Sequence, residues 1–155
     1  MKSFDKSLKT CLSPDYSKEG MGCILQQKKC SCTKVTPTCC DDGWSLVLDG
    51  GKFCNKAEQN YSPVEGEATE FAKGLQNTKY YNLGCRDLYV ATDHSSLVDI
   101  LGNQSLADDD NPRLAKIKER TLWWRFNMIH TPGEKQLASD AISRRRNKVK
   151  LLVCL

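Results

Sequence analysis

The 155-residue chain carries 23 Lys and Arg against 19 Asp and Glu, for a net charge of +4, with 39% hydrophobic and 27% charged residues. This is one domain's worth of ordinary soluble composition. It has no run near the ~18 apolar residues that cross a bilayer and no secretory-type apolar core in its first thirteen residues, so it reads as intracellular, cytoplasmic or nuclear, with no membrane partner.

In chain order, residues Leu8 to Ser13 read as a strand leading to Asp15. Gly22 to Gln26 is a second short apolar strand, and Trp44 to Leu48 a third, ending in the turn Asp49-Gly50-Gly51. Between the second and third lies a Cys/Thr/Pro-rich stretch, 28–43, read as a long hairpin loop. A helix starts at Ser62-Pro63, a cap followed by proline in the first turn. Its apolar stripe is Val64, Ala68, Phe71, Ala72 and Leu75. Leu88 to Thr92 is a fourth strand ending at Asp93, after which Ser95 is read as the cap of a short helix, Ser96 to Leu101. Asn111-Pro112 opens a helix with Leu114, Ile117, Thr121 and Trp124 on one face. A fifth strand, Phe126 to His130, turns at Thr131-Pro132-Gly133 into a last helix from about Lys135 to Arg145. The order β-β-β-α-β-α-α-β-α is that of an α/β layered domain with a mixed sheet. Residues 1–7 form a lead-in, 8–145 the domain and 146–155 a basic and apolar tail.

Nine cysteines, an odd number and without a secretory signal, argue against a complete disulfide framework. Cys30, Cys32, Cys39 and Cys40 crowd together, but one pair has a single intervening residue and the other none. Zinc sites usually space paired ligands by two to four residues, so the spacing favours free thiols in an inserted loop over a zinc site.

Four acids stand in a particular relation to these elements. Asp15 follows the first strand, Asp93 ends the fourth, and Asp140 lies near the start of the last helix. On the first long helix, rotation by about 100° per residue sends Glu70 to solvent and puts Glu65 and Glu67 on opposite flanks of the apolar stripe. Periodicity does not choose between the two flanks. Open α/β sheets put their chemistry at the carboxyl ends of strands. A cluster of like charges there raises each member's pKa and is tolerated when divalent cations neutralise it. Carboxylates favour Mg2+ or Mn2+, and two such ions about 4 Å apart can clamp a phosphodiester.

The segments Asn55-Lys56-Ala57-Glu58-Gln59-Asn60-Tyr61-Ser62 and Glu65-Gly66-Glu67 resemble the ribonuclease H domains of gypsy-type retrotransposon polyproteins. So do Val90-Ala91-Thr92-Asp93-His94, Asn111-Pro112-Arg113-Leu114, His130-Thr131-Pro132-Gly133-Glu134 and Ala138-Ser139-Asp140-Ala141-Ile142-Ser143-Arg144. The similarity runs from about Leu8 to Arg145. It implies a ribonuclease H-like fold: a mixed five-stranded sheet, with the first three strands antiparallel and strands one, four and five parallel, flanked by helices.

The resemblance also implies a catalytic and metal-binding set. Its first Asp stands seven residues before the glycine of a Gly-small-apolar-Leu strand, which is Asp15 before Gly22-Cys23-Ile24-Leu25. Its Glu is the second of a Glu-x-Glu pair, which selects Glu67. Asp93 and Asp140 complete the set. Asp15 would bridge two Mg2+ ions, with Mn2+ able to substitute. Asp140 would complete the ion that activates water, and Glu67 and Asp93 would hold the ion at the leaving 3′ oxygen. The implied reaction cuts the RNA strand of an RNA–DNA hybrid, leaving a 5′ phosphate and a 3′ hydroxyl. Selectivity would come from contacts to 2′-hydroxyls across a shallow minor groove. His130, ten residues before Asp140, stands at the distance at which ribonucleases H with an auxiliary histidine carry it; the alternative is a strand-end histidine that caps a turn. Arg113, Lys116, Arg120 and Arg125 are candidates to meet hybrid phosphates; of the neighbouring tryptophans, Trp124 continues the apolar stripe and Trp123 falls on the rim.

Three departures stand out. Pro14 precedes Asp15 where the family has a residue able to donate a strand hydrogen bond. Ala68-Thr69-Glu70 replaces a more apolar stretch, and the Cys-containing loop is long. No Tyr-x-Asp-Asp polymerase signature, Asp-Thr/Ser-Gly protease motif or His-His-Cys-Cys integrase finger occurs. The chain therefore reads as a piece of a longer polyprotein that contains a reverse transcriptase polymerase domain, or as the product of a truncated copy. The alternative is a catalytically silent, decayed or domesticated module of the same fold that binds hybrid or has no activity.

Overall fold

The computed structural model describes residues 4–40, 42–103 and 111–132. Strands β1 (Thr10–Tyr16), β2 (Gly20–Lys28), β3 (Trp44–Phe53), β4 (Leu88–Thr92) and β5 (Asn127–His130) form one sheet in the order β3-β2-β1-β4-β5. The pairs β1·β2 and β2·β3 are antiparallel, and β1·β4 and β4·β5 are parallel. This is the mixed sheet implied by the sequence. The helices are α1 (Pro63–Asn77), α2 (Lys79–Asn82), α3 (Ser95–Leu97) and α4 (Pro112–Arg120), with a π-helical turn over Val98–Asn103. The expected last helix, the acidic run 108–110 and the basic run 144–148 lie outside the described residues.

The core forms where α1 lies on the sheet. Leu12, Cys23, Leu25, Leu88 and Val90 from the strands meet Ala68, Phe71, Ala72 and Leu75 of α1, all buried. Phe71 also meets Phe126 edge-on, with ring centroids 5.1 Å apart. The predicted stripe of α1 is thus the buried one, with Val64 half-buried at its start. Leu114 and Ile117 of α4 are buried as the periodicity requires; the helix ends at Arg120, short of the expected stripe, yet Thr121 and Trp124 beyond it are buried as well, while Trp123 is 82% exposed.

Both long helices begin as their sequences dictate. Ser62 accepts from Glu65 N–H while Glu65 reaches back to Ser62 N–H, a capping box. Asn111 Oδ1 accepts from the N–H groups of Arg113 and Leu114. The end of α1 is fixed by a polar hub. Asn82 Nδ2 donates to Thr78 Oγ1 at 2.6 Å, and Trp124 Nε1 donates to Asn82 Oδ1 at 2.7 Å. This hub ties α2, absent from the sequence-based reading, to the residues following α4.

Several boundaries differ from expectation. Asp49-Gly50-Gly51 is no turn; β3 runs through it and pairs with β2 as far as Phe53↔Gly20. A side chain at Gly51 would meet the Met21 carbonyl oxygen at 2.7 Å, so glycine here permits close approach of two strands. β1 extends to Tyr16, so Asp15 lies within the strand, paired with Gly22, and does not follow it.

Pro14 is accommodated by register. Lys28 N–H donates to Lys9 O and Ser17 N–H to Gly20 O, so odd-numbered residues of β1 exchange hydrogen bonds with β2. Even-numbered residues aim their nitrogens at β4, as Thr10 does in donating to Asp87 O at 2.9 Å. The β1·β4 pairing stops at Leu12↔Val90, one step before the proline would be asked for an N–H. Pro14 therefore ends the parallel ladder and leaves the antiparallel one intact.

Glu70 was expected in solvent and is 4% exposed. It lies near enough to Cys54 to help push that thiol up, because the segment after β3 covers this flank of α1. Ser95 does not cap the short helix. His94 stands at the N-cap without a side-chain bond to the helix, its ring turned to carboxylates instead.

Candidate active site

The register of β1 and β4 sets Leu12 beside Val90. Counting three residues onward along each strand brings Asp15 and Asp93 to the same level, at the carboxyl ends of parallel neighbours. Glu67 of α1 reaches the same place, 2% exposed. Thr92 Oγ1 donates to Glu67 Oε1 and itself accepts from His94 N–H at 3.1 Å. His94 Nδ1 lies 2.5 Å from Glu67 Oε2 and 2.7 Å from Asp93 Oδ1. Donor atoms of Glu67, Asp93 and His94 all fall within 4.8 Å of one another.

Burial, and then the neighbouring Asp93 carboxyl, push the Glu67 carboxyl up to about 9, against the Thr92 hydroxyl, which favours the ionised form; Asp15 adds to the upward push. A carboxyl so placed takes a proton or a cation. Its oxygen-rich surroundings suit hard divalent ions, so the residues present fit such a group.

Local sequence explains how Glu67 is aimed. A side chain at Gly66 would meet the Tyr16 ring at 2.3 Å. The glycine of Glu65-Gly66-Glu67 therefore lets α1 pack directly on the residue after Asp15. Tyr16 in turn donates to Glu58 O at 2.6 Å. Glu65 has a different task from Glu67. Beyond its capping bond it accepts from Asn111 Nδ2 at 3.0 Å and pairs with Arg113 at 3.1 Å, joining the starts of α1 and α4. These partners, Asn111 first and against a smaller desolvation, hold the Glu65 carboxyl below its usual range.

Glu58, which stands in the family-resembling segment Asn55 to Ser62 but was assigned no role there, anchors the segment before α1. It is 5% exposed and 2.6 Å from both Lys52 Nζ and Lys73 Nζ, and it accepts from Asn55 N–H at 3.0 Å. Burial opposes its ionisation, but these donors outweigh burial and hold it down at about 2.

Asp15, Glu67 and Asp93 are thus brought to one end of the sheet. His130 Nε2 lies 3.1 Å from Asp93 O, adjacent to the cluster. Asp140 lies outside the described residues. Arg113 stacks on Tyr61 at 4.3 Å while paired with Glu65. Lys116, Arg120 and Arg125 are exposed. His94 and Thr92, the immediate partners of Glu67, were given no role in the sequence; their signal was that they flank Asp93 within the family-resembling Val90-Ala91-Thr92-Asp93-His94 segment.

A five-stranded sheet of this order, with helices and an acidic cluster at the ends of β1 and β4, defines a protein of ribonuclease H-like fold. Solved structures agree on the fold. The chain is similar to ribonuclease H1 LC11 in complex with RNA/DNA hybrid (TM-score 0.62, 12% identity, 88% of this chain and 95% of that one). It is similar to the N-terminal ribonuclease H domain of a Mycobacterium tuberculosis protein (TM-score 0.63, 14% identity, 90% and 93%). It also resembles the foamy viral protease-reverse transcriptase in complex with RNA/DNA hybrid (TM-score 0.60, 13% identity, 98% of this chain and 19% of that one).

Residues 5–121 match the family described as the RNase H-like domain found in reverse transcriptase, and the chain belongs to that family. It is 33% identical over 90 residues, 58% of its length, to the retrovirus-related Pol polyprotein from transposon opus of Drosophila melanogaster, of which it spans 9%. Among the described residues no helix is long and apolar enough to cross a membrane.

Proposed function

We propose that the chain is a metal-dependent endonuclease that hydrolyses the RNA strand of RNA–DNA hybrids, acting beside a reverse transcriptase polymerase domain in a longer polyprotein. The observation that supports this reading is the meeting of Glu67 and Asp93, with Asp15 close enough to act on Glu67, from three separate elements of the fold.

Asp15, Glu67 and Asp93, completed by Asp140, would hold two Mg2+ ions, with Mn2+ able to substitute. Bound there, the ions supply Lewis-acid stabilisation of phosphoryl charge and a water of lowered pKa. The chain's own groups set the frame. Thr92 and His94 fix the two oxygens of Glu67. His130, exposed beside the Asp93 carbonyl, is the group to assist proton transfer or product departure. Arg113, Lys116 and Arg120 recur at i, i+3 and i+7 on α4 and form, with Arg125, a basic face for phosphates. In the hydrolysis, a water oxygen forms the new bond to phosphorus and the ribose 3′ oxygen leaves, giving a 5′ phosphate and a 3′ hydroxyl.

A second reading, a silent module that binds hybrid without cutting it, draws on one observation: the His94 ring lies between the Glu67 and Asp93 carboxyls. Incubation of an end-labelled hybrid with the protein and Mg2+ separates the two. The enzymatic reading expects cleavage by the wild type and none by Asp93→Asn. A folded wild type that binds hybrid yet leaves it intact in Mg2+ and in Mn2+ overturns it.

A further inference from the structure

At the other end of the β2–β3 hairpin, remote from the Asp15↔Gly22 pair, the Cys-rich loop closes on itself. Lys29 N–H and Cys30 N–H both donate to Gly43 O, at 2.7 and 3.2 Å, which joins the start of the loop to its end. A turn in which Cys39 N–H donates to Thr36 O brings the chain back. The result is that the sulfur atoms of Cys30, Cys32, Cys39 and Cys40 all lie within 4.8 Å of one another.

We propose that these four cysteines form a tetrathiolate site for one Zn2+ ion that fastens the loop 29–43. The sulfur separations fit. Zinc–thiolate bonds of about 2.3 Å in a tetrahedron set sulfur–sulfur edges of roughly 3.8 Å. Cys30 Sγ and Cys39 Sγ are 3.4 Å apart, and Cys39 Sγ and Cys40 Sγ 4.0 Å. Both are far longer than the ~2.05 Å of a disulfide, and all four residues are free thiols.

The surroundings fit as well. A side chain at Gly43 would meet Cys40 Sγ at 2.5 Å and Cys30 Sγ at 2.8 Å, so only glycine leaves room for the sulfurs to converge. Four thiolates around one divalent ion leave two negative charges. Lys28, 7% exposed, supplies a counter-charge by donating through Nζ to the carbonyls of Cys30 at 3.1 Å and Cys32 at 2.5 Å. Four soft sulfur donors select zinc over the hard ions suited to the carboxylate cluster. The ligand spacing that argued against zinc in the linear sequence is thus overcome by the turn and the loop closure. The site stands independently of the nuclease reading. Its role is structural: β3 is an edge strand, and the ion closes the loop that leads into it.

Binding releases the protons of whichever thiols are protonated. The test is to purify the full chain in reductant without chelator, count its metal by mass spectrometry, and exchange the metal for Co2+. One zinc per chain is expected, with sulfur-to-cobalt charge transfer and tetrahedral d–d bands after exchange. The pair Cys30→Ser with Cys39→Ser should lose both the zinc and the charge-transfer band, while Cys85→Ala keeps them. Gly43→Ala, which removes no ligand, should weaken zinc by roughly 10–100-fold in competition with a chelating dye. The proposal is overturned by a reduced chain that takes up neither zinc nor cobalt, by zinc that survives in the double variant and so sits elsewhere, or by a Cys30–Cys39 disulfide in the protein as isolated from cells.

Discussion

Replacing Glu67 by Gln tests the electrostatics of the acidic cluster in one step. In the metal-free protein the Glu67 carboxyl is held up at about 9, whereas in the unfolded chain it titrates near 4.5. Folding therefore takes up a proton throughout the interval between these values. A raised acid stabilises fully below the unfolded pKa, and that stability drains away as pH rises toward the folded one. Within the interval the folding equilibrium shifts about tenfold per pH unit, so raising pH from 6 to 8 costs up to about 3 kcal/mol. Glu67→Gln keeps the size and the Thr92 hydrogen bond but cannot ionise. Its thermal midpoint should change far less between pH 6 and 8 than that of the wild type, with both measured in EDTA. Added Mg2+, which binds the ionised form, should stabilise the wild type more at pH 8 than at pH 6 and leave the variant unmoved. Equal pH slopes for the two proteins would refute the reasoning.

Glu58 gives the opposite sign. Its carboxyl is held down at about 2, so its contribution is present above the unfolded value near 4.5 and is lost as pH falls from there toward 2. Glu58→Gln should cost about 2–3 kcal/mol at neutral pH in denaturant unfolding, with the deficit narrowing below pH 4. On α4, Lys116→Ala with Arg120→Ala should weaken hybrid binding uniformly across sequences and lower the slope of log affinity against log salt by about 2. An unchanged slope would remove the basic face from the account.

The succession of strands along the chain was legible because each carried its own apolar run, whereas their order in the sheet was an expectation of the family resemblance. What escaped were consequences of contact between distant segments. Asp49-Gly50-Gly51 reads as a turn, yet its second glycine permits a close strand approach to Met21 that no local pattern announces. The helical wheel gave the angle of Glu70 but not the chain that covers that flank of α1. Pro14 looked disruptive at a central strand, and only the register shows that it falls where the parallel ladder has ended. At the site, Asp15, Glu67 and Asp93 were named through the family resemblance, whereas Thr92 and His94 were not, because their roles depend on a helix more than twenty residues away. The four thiols were noticed as a crowd in the sequence, but their spacing argued against convergence, because it says nothing of a loop whose two ends share one carbonyl.

The central claim is that the carboxyls at the ends of β1 and β4 form a seat for divalent cations. Crystals soaked in Mn2+ and measured for anomalous scattering test it directly. The account predicts manganese peaks coordinated by Asp15, Glu67 and Asp93, with the His94 ring displaced from between the two carboxyls or turned to ligate. A map without manganese there, with His94 still bridging Glu67 and Asp93, would contradict it.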